Sequence, residues 1–349
     1  TRALSSAASD VYKRQILGFL SGVAAMEDVT LNKVYGAVFG FTVGDALGVP
    51  VEFMMRKQLK MNPVIGMREF GTHNQPKGTW SDDSALMFCL MEAICQSDAS
   101  INLDYEWLAD AFLRWLLDGF WTPLGEAFDI GRTTAQSIER FSHKKFAACE
   151  CGGKEEQDNG NGSVMRVLPL AFLLKNVSAT KAFEIIHNVS SITHRHPRAK
   201  IACGIYVFTA IGLLNQKSPK GALLWAAGIV QDYYCSKPDY KNELSHFRRI
   251  LDGEIGSLTE YEIWSSGYVV DSLEASLWSL LTTNTYRTCV LRAVNLGEDT
   301  DSIAAMAGGL AGLYYPHETI PQIWLSHIKR RQDITDLCNR FYEKLKGMK

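Results

Sequence analysis

The feature that most limits what this chain can fold into is the spacing of its apolar residues, which recur at three and four positions through most segments from Leu31 onward. Trp107, Leu108, Ala111, Phe112, Trp115 and Leu116 place one apolar stripe on a helix. The same period runs through Ser84 to Cys95, Ser163 to Leu174, Ala199 to Leu214, Leu223 to Tyr233, Val270 to Leu281, Tyr286 to Val294, Ser302 to Leu313 and Ile320 to Leu345. Alternating apolar and polar runs between turn signals, the mark of half-buried strands, are scarce. A parallel sheet would leave so many helices unexplained, so the expected class is all-α. No Pro/Gly/Ser-rich linker and no internal repeat divides the chain, which predicts one compact domain. With 349 residues, 46% of them apolar, it can bury a sizeable core.

Charge and cysteine usage exclude several function classes. The 36 basic and 38 acidic residues are spread without blocks and leave a formal charge of -2, so no broad basic face is available for nucleic-acid phosphates. The longest apolar stretches noted, Ile201 to Leu214 and Ser302 to Tyr315, fall short of the roughly 18 apolar residues of a membrane span, so no membrane association is expected. Eight cysteines lack framework spacing, and Cys89, Cys203 and Cys289 sit in apolar runs, which fits reduced thiols in a cytoplasmic protein. Cys149-Glu150-Cys151 has half the look of a zinc site but no partner ligands at regular spacing. Residues 1–28 read as a leader or tail outside the fold: Lys13-Arg14 before Ile16 to Ala25 has the order of a short secretory signal, yet Met26 stands just ahead of the first helical pattern as an alternative start. Residues 29–349 are then the catalytic domain.

Two acidic clusters each run into an apolar helix. In Thr79-Trp80-Ser81-Asp82-Asp83-Ser84, Ser81 suits an N-cap and the two acids complement the helix dipole. In Gly297-Glu298-Asp299-Thr300-Asp301-Ser302, three acids precede a helix of mostly Ala and Gly. Within a helix Asp299 and Asp301 would diverge by about 200°, so a shared partner requires the turn before the helix, which Gly297 permits. Either cluster alone is explained by capping. Together they supply four aspartates and neighbouring hydroxyls, an oxygen-only set suited to magnesium or manganese and poorly to zinc. Four carboxylates exceed the usual complement of one magnesium, which points to two ions roughly 3.5–4 Å apart.

In chain order, these pieces resemble the ADP-ribosylglycohydrolases: Gly36 to Gly40 with Gly44-Asp45-Ala46-Leu47-Gly48 and Glu52; Thr79 to Asp83; Phe128-Asp129-Ile130-Gly131; Gly160-Asn161-Gly162-Ser163-Val164-Met165-Arg166; Thr193-His194; and Gly297 to Ser302. The resemblance spans about residues 33 to 315. It implies a helical bundle with a two-magnesium site at the head of a cleft, Ser81, Asp82, Asp83, Asp299, Asp301 and Ser302 as ligands, and Glu52, Asp83 and Asp129 as candidate catalytic acids. The small residues at Gly160, Asn161, Gly162 and Ser163 could also cradle a diphosphate through backbone N–H groups. His194 is implied as a contact to ADP-ribose; His196 has no such support, and a loop of solvent-facing histidines is the plainer account of both. Trp121 and Phe128 could stack on adenine, although aromatics among helices are more often core. Arg132 stands where a small or amide side chain is expected, and Lys144 to Gln157 has no counterpart.

The expected reaction is hydrolysis of the N- or O-glycosidic bond between ADP-ribose and a protein side chain or small conjugate, by a monomer, through an oxocarbenium-like transition state. An all-α magnesium enzyme acting on another diphosphate is disfavoured, since Asp82-Asp83 is followed by Ser84, Ala85 and Leu86 rather than by an acid one turn on. A non-catalytic ADP-ribose binder is the other alternative.

Overall fold

The computed structural model describes residues 29–97 and 101–348, so the leader read over residues 1–28 lies outside the described residues. Eleven helices of nine or more residues are present among them: α1 Leu31–Gly48, α2 Asp82–Gln96, α3 Tyr105–Asp118, α4 Arg132–Ser142, α5 Ala179–Ser191, α6 Pro197–Leu214, α7 Pro219–Tyr234, α8 Val269–Leu281, α9 Tyr286–Val294, α10 Thr300–Tyr314 and α11 Arg331–Gly347. No strand occurs among the described residues, only three isolated bridges, and the chain is all-α.

Packing sorts the helices by pattern. Helices such as α3 and α11 are amphipathic and bury one face, Leu108, Ala111, Phe112 and Trp115 in the first and Ile334, Leu337, Cys338 and Phe341 in the second. By contrast α1, α6 and α10 are apolar nearly all round and lie inside the bundle. Leu31–Val51 and Pro197–Leu214 reach the length and apolarity of a membrane span, which corrects the expectation that no stretch does; 94% and 89% of those windows are buried against the rest of the protein.

The central pair, α1 and α10, meets main chain to main chain. A Cβ built on Gly36 would lie 2.3 Å from Gly312 O, one on Gly40 2.5 Å from Gly308 O, one on Gly44 2.0 Å from Ala304 O, and one on Gly48 2.3 Å from the Cα of Asp301. Glycine at every fourth position of α1 therefore lets the helix axes approach closer than side chains would allow. Tyr286 Oη donates to Gly40 O at 2.7 Å, and Thr300 Oγ1 to Gly48 O at 2.9 Å.

Two expected helices are broken. Over 163–174 the chain forms a 3-10 turn at Val164–Arg166 and then a short helix at Leu170–Leu174, because Pro169 supplies no N–H and disfavours helical backbone at Leu168. The run over 320–345 divides into Gln322–His327 and α11, with Arg330 in the left-handed region at φ 54° between them.

Candidate active site

Helix starts carry the acids to one end of the bundle. Ser81 caps α2, its Oγ accepting from Asp83 N at 3.3 Å, and Asp82 and Asp83 fill the first turn. At α10 the residue before the helix is Asp299, while Asp301 lies inside its first turn rather than ahead of it as expected. The two need not diverge, because Asp299 has non-helical ψ of 69°. Behind both clusters Asp45, an acid inside the otherwise apolar α1, accepts from Ser81 N at 2.9 Å, Ser84 N at 3.1 Å and Ser84 Oγ at 2.6 Å. Asp45 thus aims the Ser81-Asp82-Asp83 turn, a role that its motif position did not reveal.

Asp82, Asp83 and Asp301 are buried, as are Asp299 and Glu52. Ser81 Oγ and Ser302 Oγ each lie within hydrogen-bond distance of Asp83 Oδ2, at 3.2 and 3.1 Å, and Asn161 Nδ2 donates to Asp299 Oδ2 at 2.6 Å. Asp83 Oδ1 and both carboxylate oxygens of Asp301 are buried without any partner. Burial, reinforced by the facing carboxylates, pushes the carboxyls of Asp82, Asp83 and Asp301 well above the usual range and that of Asp299 to about 6. Buried carboxylate oxygens with nothing to accept from are what an all-oxygen cation site looks like before its cation is added. The donor set fits a hard divalent ion.

Ligand atoms of Glu52, Asp299 and Asp301 lie within 4.8 Å of one another, and so do those of Glu52, His73 and Asp129. Glu52 therefore belongs to both groups. Its carboxylate meets His73 Nε2, and the same nitrogen lies 3.8 Å from Asp129 Oδ1, beyond hydrogen-bond distance. Burial, then the charges of Asp129 and Asp299, push the Glu52 carboxyl up to about 10. His73 was missed, and its loop carries no sequence signal. The Glu52 loop is locked to the second acid cluster: Phe53 N donates to Glu298 O at 2.7 Å and Glu298 N to Met54 O at 2.8 Å. Gly297, at φ 82°, is required there, because a Cβ would meet Arg56 N at 2.5 Å.

A cleft of about 630 Å³ opens over these acids, and Glu52, Asp82, Asp129, Asn161, His194 and Asp299 all line it. Gly160, Gly162 and Ser302 also line it, whereas Ser163 is buried behind, its Oγ beside Ser190 and Cys203. Asn161 N–H donates to Gly267 O at 3.0 Å, so that donor is unavailable to a ligand; the N–H groups of Gly162 and Ser163 have no partner among the described residues. His194 is buried rather than solvent-facing, and His196 is partly buried, its Nδ1 accepting from Arg198 N at 3.2 Å to cap α6. Trp121 is core, its Nε1 donating to Glu92 at 3.2 Å, and Phe128 packs on His73. Arg132 lies on the cleft wall and donates to Gln157 O at 2.8 Å. The segment around Cys151 docks on the His194 loop: Gly152 N donates to Ser191 O and Gly153 N to Thr193 O. Cys149 and Cys151 donate to backbone carbonyls and belong to no metal-competent group among the described residues.

A sequence profile described as ADP-ribosylglycohydrolase matches residues 26–349. ADP-ribosylarginine hydrolase Tri1 of Serratia proteamaculans is 30% identical over 90% of this chain and 80% of its own length. ADP-ribosyl-[dinitrogen reductase] glycohydrolase of Rhodospirillum rubrum is 28% identical over 85% of this chain and 90% of its own. A solved structure titled an ADP-ribosylglycohydrolase-related protein complex superposes with a TM-score of 0.73 at 27% identity, covering 90% of this chain and 98% of that one.

Proposed function

Since the chain belongs to the ADP-ribosylglycohydrolase family and is a hydrolase of ADP-ribose glycosidic bonds, we propose that its acceptor is an arginine side chain of a modified protein and that two magnesium ions, or manganese in their place, sit on the cleft floor. The metal reading is carried by the unpartnered buried oxygens of Asp83 and Asp301. Ser81, Asp82, Asp83, Asp299, Asp301 and Ser302 would hold the ions, with Glu52 beside Asp299 and Asp301. Such ions, when bound, orient ribose hydroxyls, offset anionic charge and acidify a water.

The protein's own groups do the rest. Glu52 keeps its proton while its acidic neighbours are uncompensated, and charge compensation on the floor would lower its carboxyl and let it serve as a base. His73 Nε2 meets the Glu52 carboxyl, and Asp129, its ligand atom within 4.8 Å of both, places a second acid at the cleft wall. Gly162 lines the cleft and its N–H has no partner among the described residues, which makes it the donor offered to the anionic part of the ligand. Glu298 is exposed and lines the cleft, and although the charge of Arg56 acts on it, its carboxylate makes no hydrogen bond or ion pair among the described residues, a complement to a cationic guanidinium acceptor. The Serratia relative's name, an arginine hydrolase, supports the same acceptor. We read the protein as a cytoplasmic monomer, in keeping with eight free cysteines, five of them buried.

The deciding measurement is release of free ADP-ribose from ADP-ribosylated arginine, ADP-ribosylated serine and O-acetyl-ADP-ribose, with magnesium. Turnover of the arginine conjugate is expected. Release from the serine conjugate alone overturns the acceptor, and release from none overturns the proposed reaction.

A further inference from the structure

Arg166 is completely buried, yet among the described residues no carboxylate forms an ion pair with it. Its Nη1 donates to Gly162 O at 2.6 Å, and its Nη2 donates to Thr193 Oγ1 at 2.7 Å and to Val189 O at 3.3 Å; the guanidinium lies over the Phe112 ring. A guanidinium can only donate. Thr193 Oγ1 therefore accepts from Arg166 and keeps its single proton for another neighbour. Within reach of it is His194 Nδ1, at 2.8 Å. The hydroxyl oxygen has a second lone pair, but among the described residues no other acceptor is bonded to its proton, so that proton goes to Nδ1 and in a neutral imidazole the ring proton resides on the other nitrogen. Neutrality follows from burial together with the charge of Arg166, which lower the His194 pKa to about 3.

The free nitrogen, Nε2, faces the cleft. It lies 3.7 Å from where a Cβ on Gly160 would stand, and the adjacent Cε1 lies 2.8 Å from one on Gly162, so the two glycines are what leave the ring edge open. The ring is also held from its backbone: His194 N donates to Ser190 O at 2.7 Å, Gly153 N donates to Thr193 O at 2.9 Å, and Arg195 N donates to Gly153 O at 2.6 Å. A Cβ on Gly152 would lie 2.3 Å from Ser191 O, so the docking of this segment is tight main-chain contact. Thus the Gly152-Gly153 turn and the Arg166 chain converge on one imidazole from two sides.

We propose that Arg166 and Thr193 are positioning residues that fix His194 as its Nε2–H tautomer, so that the cleft presents a hydrogen-bond donor, and never an acid, to an oxygen of the ligand. The proposal rests on the reading that the cleft takes ADP-ribose. A ring free to choose its tautomer would present a lone pair to the same oxygen in part of the population, and a lone pair facing a lone pair repels.

The test begins with the ligand-free protein labelled with ¹⁵N-histidine, whose His194 signals are assigned by their loss in His194→Asn. Expected are a pyrrole-type Nε2 and a pyridine-type Nδ1 that persist from pH 8 to pH 5. In Thr193→Val the tautomers should mix and ADP-ribose should bind about tenfold more weakly by calorimetry, whereas Thr193→Ser should restore both. A wild-type signal showing Nδ1–H, or an unchanged tautomer in Thr193→Val, overturns the proposal, and the wild-type spectrum decides even where the valine variant does not fold. The spectrum needs no turnover, so a protein with the expected tautomer that binds no ADP-ribose would sink the ligand reading and leave the relay standing.

Discussion

Among the described residues, Asp301 is the one whose two carboxylate oxygens are both buried without a partner. Asp301→Asn removes a charge that only a cation can compensate. It is expected to lower turnover by at least about 100-fold, since metal stabilisation is worth several kcal/mol. It should also raise the melting temperature of the metal-free protein, because asparagine cannot ionise and so relieves the burial of Asp301 among the facing acids Glu52, Asp129, Asp83 and Asp299; a metal-free melting temperature below that of the wild type would contradict this. Protonation gives a second expectation. Asp45 and Asp299, held at about 6 against an ordinary 3.8, keep protons that the unfolded chain has lost. Their contribution to stability is therefore present below about pH 4 and lost as pH rises through about 6. His187 and His194, lowered to about 3 by burial, act oppositely: stability is lost as pH falls below about 6.5. The histidines cancel when metal-loaded and metal-free melting temperatures are subtracted. That difference should grow from pH 5 to pH 8, and a constant difference would mean that the acids are not what the ion relieves. The acids of both clusters were legible in the sequence because they sit in motifs. Asp45 was quoted within a motif without a role, and His73 was invisible, because its meaning depends on a loop folding back over Glu52.

At the scale of helices, the period of the apolar residues located most of the long elements, Tyr286–Val294 to the residue, but not Arg132–Ser142 or Ala179–Ser191. The misplaced boundaries fall where backbone chemistry overrides side-chain pattern: Pro169, which interrupts the 163–174 run, and Arg330 at φ 54°, which separates Gln322–His327 from α11. What the pattern could not convey was how α1 and α10 meet, since glycine contributes nothing to an apolar stripe. Gly44→Ala tests that contact. Its Cβ would fall 2.0 Å from Ala304 O and 2.5 Å from Ala304 C, both backbone atoms that cannot rotate away. A loss of about 1–3 kcal/mol by denaturant unfolding is expected. Gly228→Ala in α7 is the control, because nothing lies within 4 Å of its Cβ, and there alanine should add about 0.5–1 kcal/mol. Equal effects at both positions would mean that helix propensity, not helix contact, governs Gly44.

For the molecule as a whole, the acids are attached to helices whose burial is complete without any ion, Leu47 and Ala304 being fully buried within one helical turn of them. Chelation by EDTA is therefore expected to leave the far-UV circular dichroism unchanged while abolishing turnover, and a loss of helical signal would make the ions part of the fold. The backbone contact at Gly48 carries a further consequence. The end of α1 rests against the Cα of Asp301, so the distance from the Glu52 turn to the α10 start is set by touching main chain and has no slack to take up. Calcium bonds to oxygen are about 0.3–0.5 Å longer than those of magnesium. A cage whose walls are in hard contact behind the ligands admits the smaller ion and resists the larger, so calcium should bind weakly and fail to support turnover. Discrimination by ionic radius would then be the property of a glycine stripe, set by residues that never touch the ion.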